Sequence, residues 1–289
     1  MLGSAVIPVR ARGALWRGIA VLVAAAVVLV SALLWRQTVP SSAPAPVRHV
    51  HGLGVNPADD TLYAATHQGL YRLDDNGPAR LVSTRTPDLM GFTVVGPDRF
   101  LASGHPDGRG DEPWSLGLVE SGDAGATWQP RSLDGEVDFH GIDATGATVY
   151  GVDAVSGSLL VTTDLRRWRQ RPGTVMEDLA VSPTDPDSLL VATAQGLRRS
   201  TDAGLTWTEQ AGPSLMLIDW STAQTVTGVG PDGSVHLSLD AGRTWQQRAT
   251  LPGAPQALHA TSTARLYVAT DAGVHASLDG GWSFTTVEL

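Results

Sequence analysis

Ser121-Gly122-Asp123-Ala124-Gly125-Ala126-Thr127-Trp128 returns as Ser200-Thr201-Asp202-Ala203-Gly204-Leu205-Thr206-Trp207 and again as Ser238-Leu239-Asp240-Ala241-Gly242-Arg243-Thr244-Trp245. A fourth copy, Ser277-Leu278-Asp279-Gly280-Gly281-Trp282-Ser283-Phe284, exchanges Thr for Ser and Trp for Phe. Thr162-Thr163-Asp164-Leu165-Arg166-Arg167-Trp168 is a worn fifth, and Asp74-Asp75-Asn76-Gly77 marks the place of a sixth. Asp123, Asp164, Asp202, Asp240 and Asp279 are separated by 41, 38, 38 and 39 residues. A fixed period in this range signals an array of similar supersecondary units. Within each unit the chemistry is that of a turn. Asp accepts from backbone N–H groups just after it, Gly takes positive φ without steric cost, and Thr-Trp starts a strand carrying a large aromatic anchor.

The text between the copies has one grammar, clearest from Met176 to Thr206. Met176-Glu177-Asp178-Leu179-Ala180-Val181, a Ser-Pro turn, Leu189 to Thr193, and Gly196 to Ser200 are followed by the repeated turn and a closing strand. That is four short strands per repeat. Units are expected near residues 47–84, 88–131, 137–171, 175–210, 214–249 and 255–289. Six four-stranded blades around a central channel leave only short, protected edges, so the expected fold is an all-β six-bladed β-propeller.

The motif resembles the Asp-box, or BNR, repeat of sialidases, sortilin-type receptors and photosystem II assembly propellers. The resemblance implies the propeller and a structural role for the five aspartates. It implies little about function, because in that family the Asp-box turn lies on the face away from the active site.

Ahead of the repeats, Gly18 to Leu34 carries no charge and is flanked by Trp16 and Trp35. Seventeen helical residues span roughly 26 Å, and the flanking tryptophans extend that toward a bilayer core. Arg10, Arg12 and Arg17 precede the run and only Arg36 follows closely, which keeps the amino terminus in the cytoplasm. We therefore expect a cytoplasmic segment 1–17, an uncleaved transmembrane signal anchor over 18–35, a Pro/Ser/Ala stalk over 36–46 and a propeller over 47–289. The protein is then single-pass in the cell membrane with its propeller extracytoplasmic.

All 20 basic residues are Arg, and without residues 1–46 the chain keeps 16 of them against 29 acidic residues, a charge near −13. Such a surface disfavours nucleic acid and attracts cations. The absence of cysteine excludes disulfides, thiolate metal sites, a cysteine nucleophile and lipid attachment through cysteine.

Aligning the innermost strands on their apolar residues puts His51, Met90, His140, Glu177 and Met216 at equivalent positions, with His259 as the match in the last blade. His49, Asp88 and Asp138 stand two residues earlier, on the same side by the period of two. The second-to-third-strand loops add His67 and a long insertion, Ser103 to Trp114, that contains His105, Arg109 and Trp114. Six of the eight histidines thus fall on one face or in the channel.

The expected activity is binding at this His-rich mouth, by His49, His51, His67, His105, Arg109, Trp114, Asp138, His140 and Glu177, with an envelope protein or glycan as partner. Imidazole suits Zn and Cu, and His51, His140, Glu177 and His259 are the ligand set expected for a metal. The resemblance to sialidases also implies a glycoside hydrolase, but the residues depart from it. There is no Arg-Ile-Pro motif, the inner-strand starts carry His, Met and Glu where three arginines are needed, and Tyr63, Tyr71, Tyr150 and Tyr267 fall on second or third strands. Asp107, Asp111, Glu112, Asp138 and Glu177 remain as carboxylates from which another glycosidase could draw a pair.

Overall fold

The computed structural model describes residues 49–74, 77–173 and 175–287. The expected anchor and stalk lie outside the described residues, as do residues 75 and 76 at the place of the sixth copy. No helix occurs among the described residues, and none there is long and apolar enough to cross a membrane.

The described strands form six antiparallel sheets of four, each a meander of consecutive strands. The innermost strands are Val50–Asn56, Asp88–Gly96, Phe139–Thr145, Asp178–Ser182, Leu217–Trp220 and Pro255–Ala260. Each packs against the next, and the last packs against the first, so the ring closes. Every blade is built from one contiguous stretch of chain, and no described strand swaps between blades. Blade six is tied to blade one by Val50 N–H donating to Gln256 Oε1 at 3.0 Å and by Arg265 Nη1 against Asp60 at 2.6 Å.

Apolar side chains form six separate clusters, one at each junction between blades. Tyr63, Ala65 and Leu70 of blade one meet Leu89, Phe92 and Phe100 of blade two; Tyr150, Leu159 and Val161 of blade three meet Leu179, Leu189 and Val191 of blade four. The repeated aromatic closes its cluster from the later blade: Trp128, Trp168, Trp207, Trp245 and Phe284 each pack across the junction with the blade before. The period of the motif is therefore the period of the core.

The repeated turn works through hydrogen bonds. In the first copy, Ser121 Oγ donates to Asp123 Oδ1 at 2.8 Å, Thr127 N donates to the same oxygen at 2.9 Å, and Thr127 Oγ1 donates to Oδ2 at 2.7 Å. The pattern repeats at Asp202, Asp240 and Asp279. In the worn copy Asp164 and Trp168 are one residue closer, and the carboxylate accepts instead from Arg166 N and Arg167 N at 2.9 and 2.8 Å. Positive φ was expected only at the glycine. It also occurs directly after the aspartate, at Ala124, Leu165, Ala203 and Ala241, because the carboxylate needs the chain to double back at once to meet N–H donors two to four residues on. Gly125 has a second reason to lack a side chain, since a Cβ there would lie 2.2 Å from Leu70 of the preceding blade.

Faces follow from pairing. Ala124 N donates to Asp98 O, Ala203 N to Asp187 O and Ala241 N to Gln224 O, so the repeated turns sit beside the first-to-second-strand turns. The starts of the innermost strands and the second-to-third-strand loops lie at the opposite end. Val50 pairs with Thr66, which pairs with Gly69.

Candidate functional site at the channel mouth

One feature of the backbone aims a side chain from each blade at the channel. His51, Met90, His140 and Gln256 are each an extra residue in the pairing of their strand, a β-bulge. Glu177 N and Met216 N donate to Ala192 O and Val229 O, acceptors already opposite Asp178 and Leu217, so these two stand at the same place. Bulges re-aim side chains, and five of the six, His51, Met90, His140, Glu177 and Gln256, line one cavity of about 380 Å³ whose walls are the innermost strands, while Met216 directly precedes the lining residue Leu217. The member from blade six is Gln256. His259 lies three residues further in, opposite Tyr267, with Nδ1 3.5 Å from Asp219. The apolar alignment misses this because nothing in the residue types Pro255-Gln256-Ala257 marks the extra residue that matches the bulge of the other blades.

Blades one to three carry a connected arc of imidazoles and carboxylates. His51 Nε2 lies 3.2 Å from His67 Nε2, and the ring of His49 is 4.9 Å from His51 and 5.0 Å from His67. His67 Nδ1 is 2.8 Å from Asp88 Oδ1, and His105 Nδ1 is 3.7 Å from the other oxygen of Asp88. His105 Nε2 is then 3.5 Å, and His140 Nε2 2.9 Å, from Asp138 Oδ2. Asp138 is buried, while His49, His67 and His140 are exposed. Burial, with the neighbouring His67 and His49 adding, pushes the His51 imidazole down to about 4. It is neutral at physiological pH, with a lone pair free to accept or to ligate.

The four residues expected to hold a metal do not converge. Among the described residues, the group of three or more ligand-type side chains whose donor atoms all come within 4.8 Å is His49, His51 and His67. His140 is engaged by Asp138, Glu177 stands exposed at the rim and His259 sits deeper beside Asp219.

The long loop of blade two folds against its neighbours. Arg109 donates from Nη1 to Thr84 O at 2.9 Å, and its own N–H reaches Asp107 Oδ1. Arg85 holds Asp107 at 2.8 Å and Glu112 at 2.6 Å, so these carboxylates are paired. Trp114 is tied by Nε1 to Gly135 O at 3.1 Å, stands 6.1 Å from His105, and is still 54% exposed. None of the six innermost strands carries an arginine, and Tyr63, Tyr71, Tyr150 and Tyr267 are all buried.

Sequence reasoning missed the carboxylates deeper in the channel. Asp143, Asp178 and Asp219 accept from Val181 N at 2.7 Å, Ile218 N at 2.9 Å and Ala260 N at 3.1 Å, each on the next blade. Burial pushes Asp143 and Asp178 up to about 7. The signal available was an acidic residue on the innermost strand of three successive repeats, Asp143, Asp178 and Asp219.

No protein-family model matches this sequence, and no curated protein matches it. Solved structures do. YCF48 bound to a D1 peptide is similar at TM-score 0.52 and 14% identity, over 83% of this chain and 82% of that one. YCF48 from Cyanidioschyzon merolae gives 0.54 and 10%, over 82% and 95%. The gluconolactonase XC5397 from Xanthomonas campestris gives 0.61 and 13%, over 78% and 84%. At identities this low, the likeness establishes the β-propeller fold and nothing finer.

Proposed function

We propose that this chain is a binding or assembly module of the Asp-box propeller group. It is held at the membrane by the 18–35 segment, displayed outside the cytoplasm, and takes a protein partner at the mouth formed by blades one to three. The observation that carries this reading is the arc His49, His51, His67, Asp88, His105, Asp138 and His140, in which side chains from three blades meet in one connected set. His49, His67 and His140 are exposed and belong to no apolar cluster, so core packing does not account for them. Trp114, open on one face beside His105, supplies an aromatic of the kind that dominates protein interfaces. That a propeller of similar fold has been seen with a bound peptide supports a protein segment as the ligand.

The hydrolase alternative finds no comparable support. Its carboxylates Asp107 and Glu112 are both spent on Arg85, and Arg109 is turned to the backbone of Thr84. The test is capture of partners from cell envelopes by the full chain and by its His105→Ala/His140→Ala variant. The reading expects a defined partner that is lost from the variant while thermal unfolding stays within a few degrees of the parent. Equal capture by both would remove the mouth from the account. Fractionation of the full chain into the soluble fraction would remove the anchor.

A further inference from the structure

We propose that His49, His51 and His67 form a three-imidazole site for a divalent first-row transition ion, Zn(II) or Cu(II), with Asp88 orienting His67. The inference deepens the binding-module reading and rests on it only in placing the ligand at the same mouth.

Four observations converge. The three donor sets lie within 4.8 Å of one another, close enough that one ion can reach all three with side-chain adjustment. His51 Nε2 stands 3.2 Å from His67 Nε2 and 3.3 Å from His67 Nδ1, with the rings at 78°. A directed N–H···N bond would favour one nitrogen, whereas here the approach is to the edge between them. Two nitrogens at 2.0–2.1 Å from one tetrahedral ion are about 3.3 Å apart, so the spacing already present is that of two ligands of one metal.

Asp88 supplies the third observation. Its carboxylate is 2.8 Å from His67 Nδ1, which fixes that nitrogen as the donor and leaves Nε2 for a metal. Carboxylates behind ligating histidines do this in metal sites generally. The fourth is backbone cost. His49 has φ 56°, a left-handed conformation that a non-glycine residue adopts at an expense and that collects at functional sites. The conformation places its ring against both partners. His49 and His67 are exposed, so burial of apolar surface does not explain the cluster.

Three protein ligands leave a position open on a tetrahedral ion, and His49 and His67 are exposed. The arrangement therefore suits an ion that meets a further donor from solvent or from a bound partner.

The test titrates zinc sulfate, and separately copper(II) sulfate, into the full chain, untagged and stripped with EDTA, and reads heat and stoichiometry. One equivalent is expected, with affinity falling more than about 100-fold in His51→Ala and in His67→Gln and about 10–100-fold in Asp88→Ala. His236→Ala, at a histidine outside the mouth whose ring meets Ser234, should change it less than about threefold. His67 is on an exposed turn, so His67→Gln reads the site even if His51→Ala unfolds. Cu(II) electron paramagnetic resonance should show nitrogen couplings that lose one contributor in His67→Gln. Absence of stoichiometric uptake, or uptake unchanged in His67→Gln, overturns the site. Because these titrations contain only ion and protein, loss of the metal with envelope capture intact would leave the module standing. Metal uptake without capture would do the reverse.

Discussion

The carboxylate of Asp88, on the innermost strand of blade two, lies 2.8 Å from Nδ1 of His67, on an outer turn of blade one. The contact crosses a blade junction at the channel mouth, with the His67 side chain 47% exposed, where a surface pair of this kind adds little to stability. Asp88→Ala is therefore expected to leave the thermal midpoint within a few degrees of the parent while weakening zinc uptake. Calorimetry and differential scanning on the same preparations separate the two effects, and a large loss of stability with unchanged zinc affinity would make the pair structural.

Deeper in the channel, Asp178 accepts two backbone N–H groups, from Leu179 at 2.8 Å and from Ile218 of the next blade at 2.9 Å. Its removal leaves both donors inside the ring. Asp178→Ala is expected to lower the unfolding free energy by about 1–3 kcal/mol, the cost of orphaned buried donors. Urea titration checks this, and a shift below a few tenths of a kcal/mol would show that the donors find other partners.

Two buried carboxyls make the folded state lose stability as pH rises toward neutrality. Burial pushes Asp143 and Asp178 up to about 7, with Asp219 adding repulsion, against the backbone donors that favour ionisation. An unfolded aspartate titrates near about 3.9. Between about pH 4 and 7 the folded state holds protons that the unfolded chain has released, so stability falls as pH rises through that window. Asp202, Asp240 and Asp279 run the other way. Hydroxyl and backbone donors hold them down to about 2. Their contribution is present above the unfolded value and is lost as pH falls through about 4 to 2. His51, held down to about 4 by burial, opposes Asp143 and Asp178 between about pH 4 and 6.5, so the readout is the difference between proteins. Asp143→Asn/Asp178→Asn should lose the fall in urea midpoint that these two carboxyls impose between about pH 4 and 7. A midpoint that climbs steadily to neutrality, equally in both proteins, would contradict these directions.

Trp207 closes the core between blades three and four, against Tyr150, Leu159 and Leu189. Half-buried, it should cost about 3 kcal/mol when replaced by Ala, the low end of the range for deleting an aromatic. An unchanged melting temperature would place it outside that junction.

The propeller was legible because the same turn, with the same aromatic, returns at a nearly constant period, and the core has that period too. The mouth was legible in part. His51, Met90, His140, Glu177 and Met216 share one position, as apolar alignment expects, but Gln256 rather than His259 completes the ring. A bulge is a backbone event, and the residue types in Pro255-Gln256-Ala257 do not announce it. The trio of His49, His51 and His67 depends on the left-handed turn at His49, again a backbone fact. The Asp143, Asp178 and Asp219 contacts run to N–H groups about one repeat away, and a donor of that kind leaves no trace in side-chain identity.

The most direct test of the account places a photo-crosslinking amino acid in living cells at Gln68 or Trp114, beside the histidine arc, and at Leu205 or Leu278, exposed on the face of the repeated turns. The account predicts that Gln68 and Trp114 give the same crosslinked partner and that Leu205 and Leu278 do not. A partner trapped from Leu205 or Leu278 and not from the mouth would contradict it.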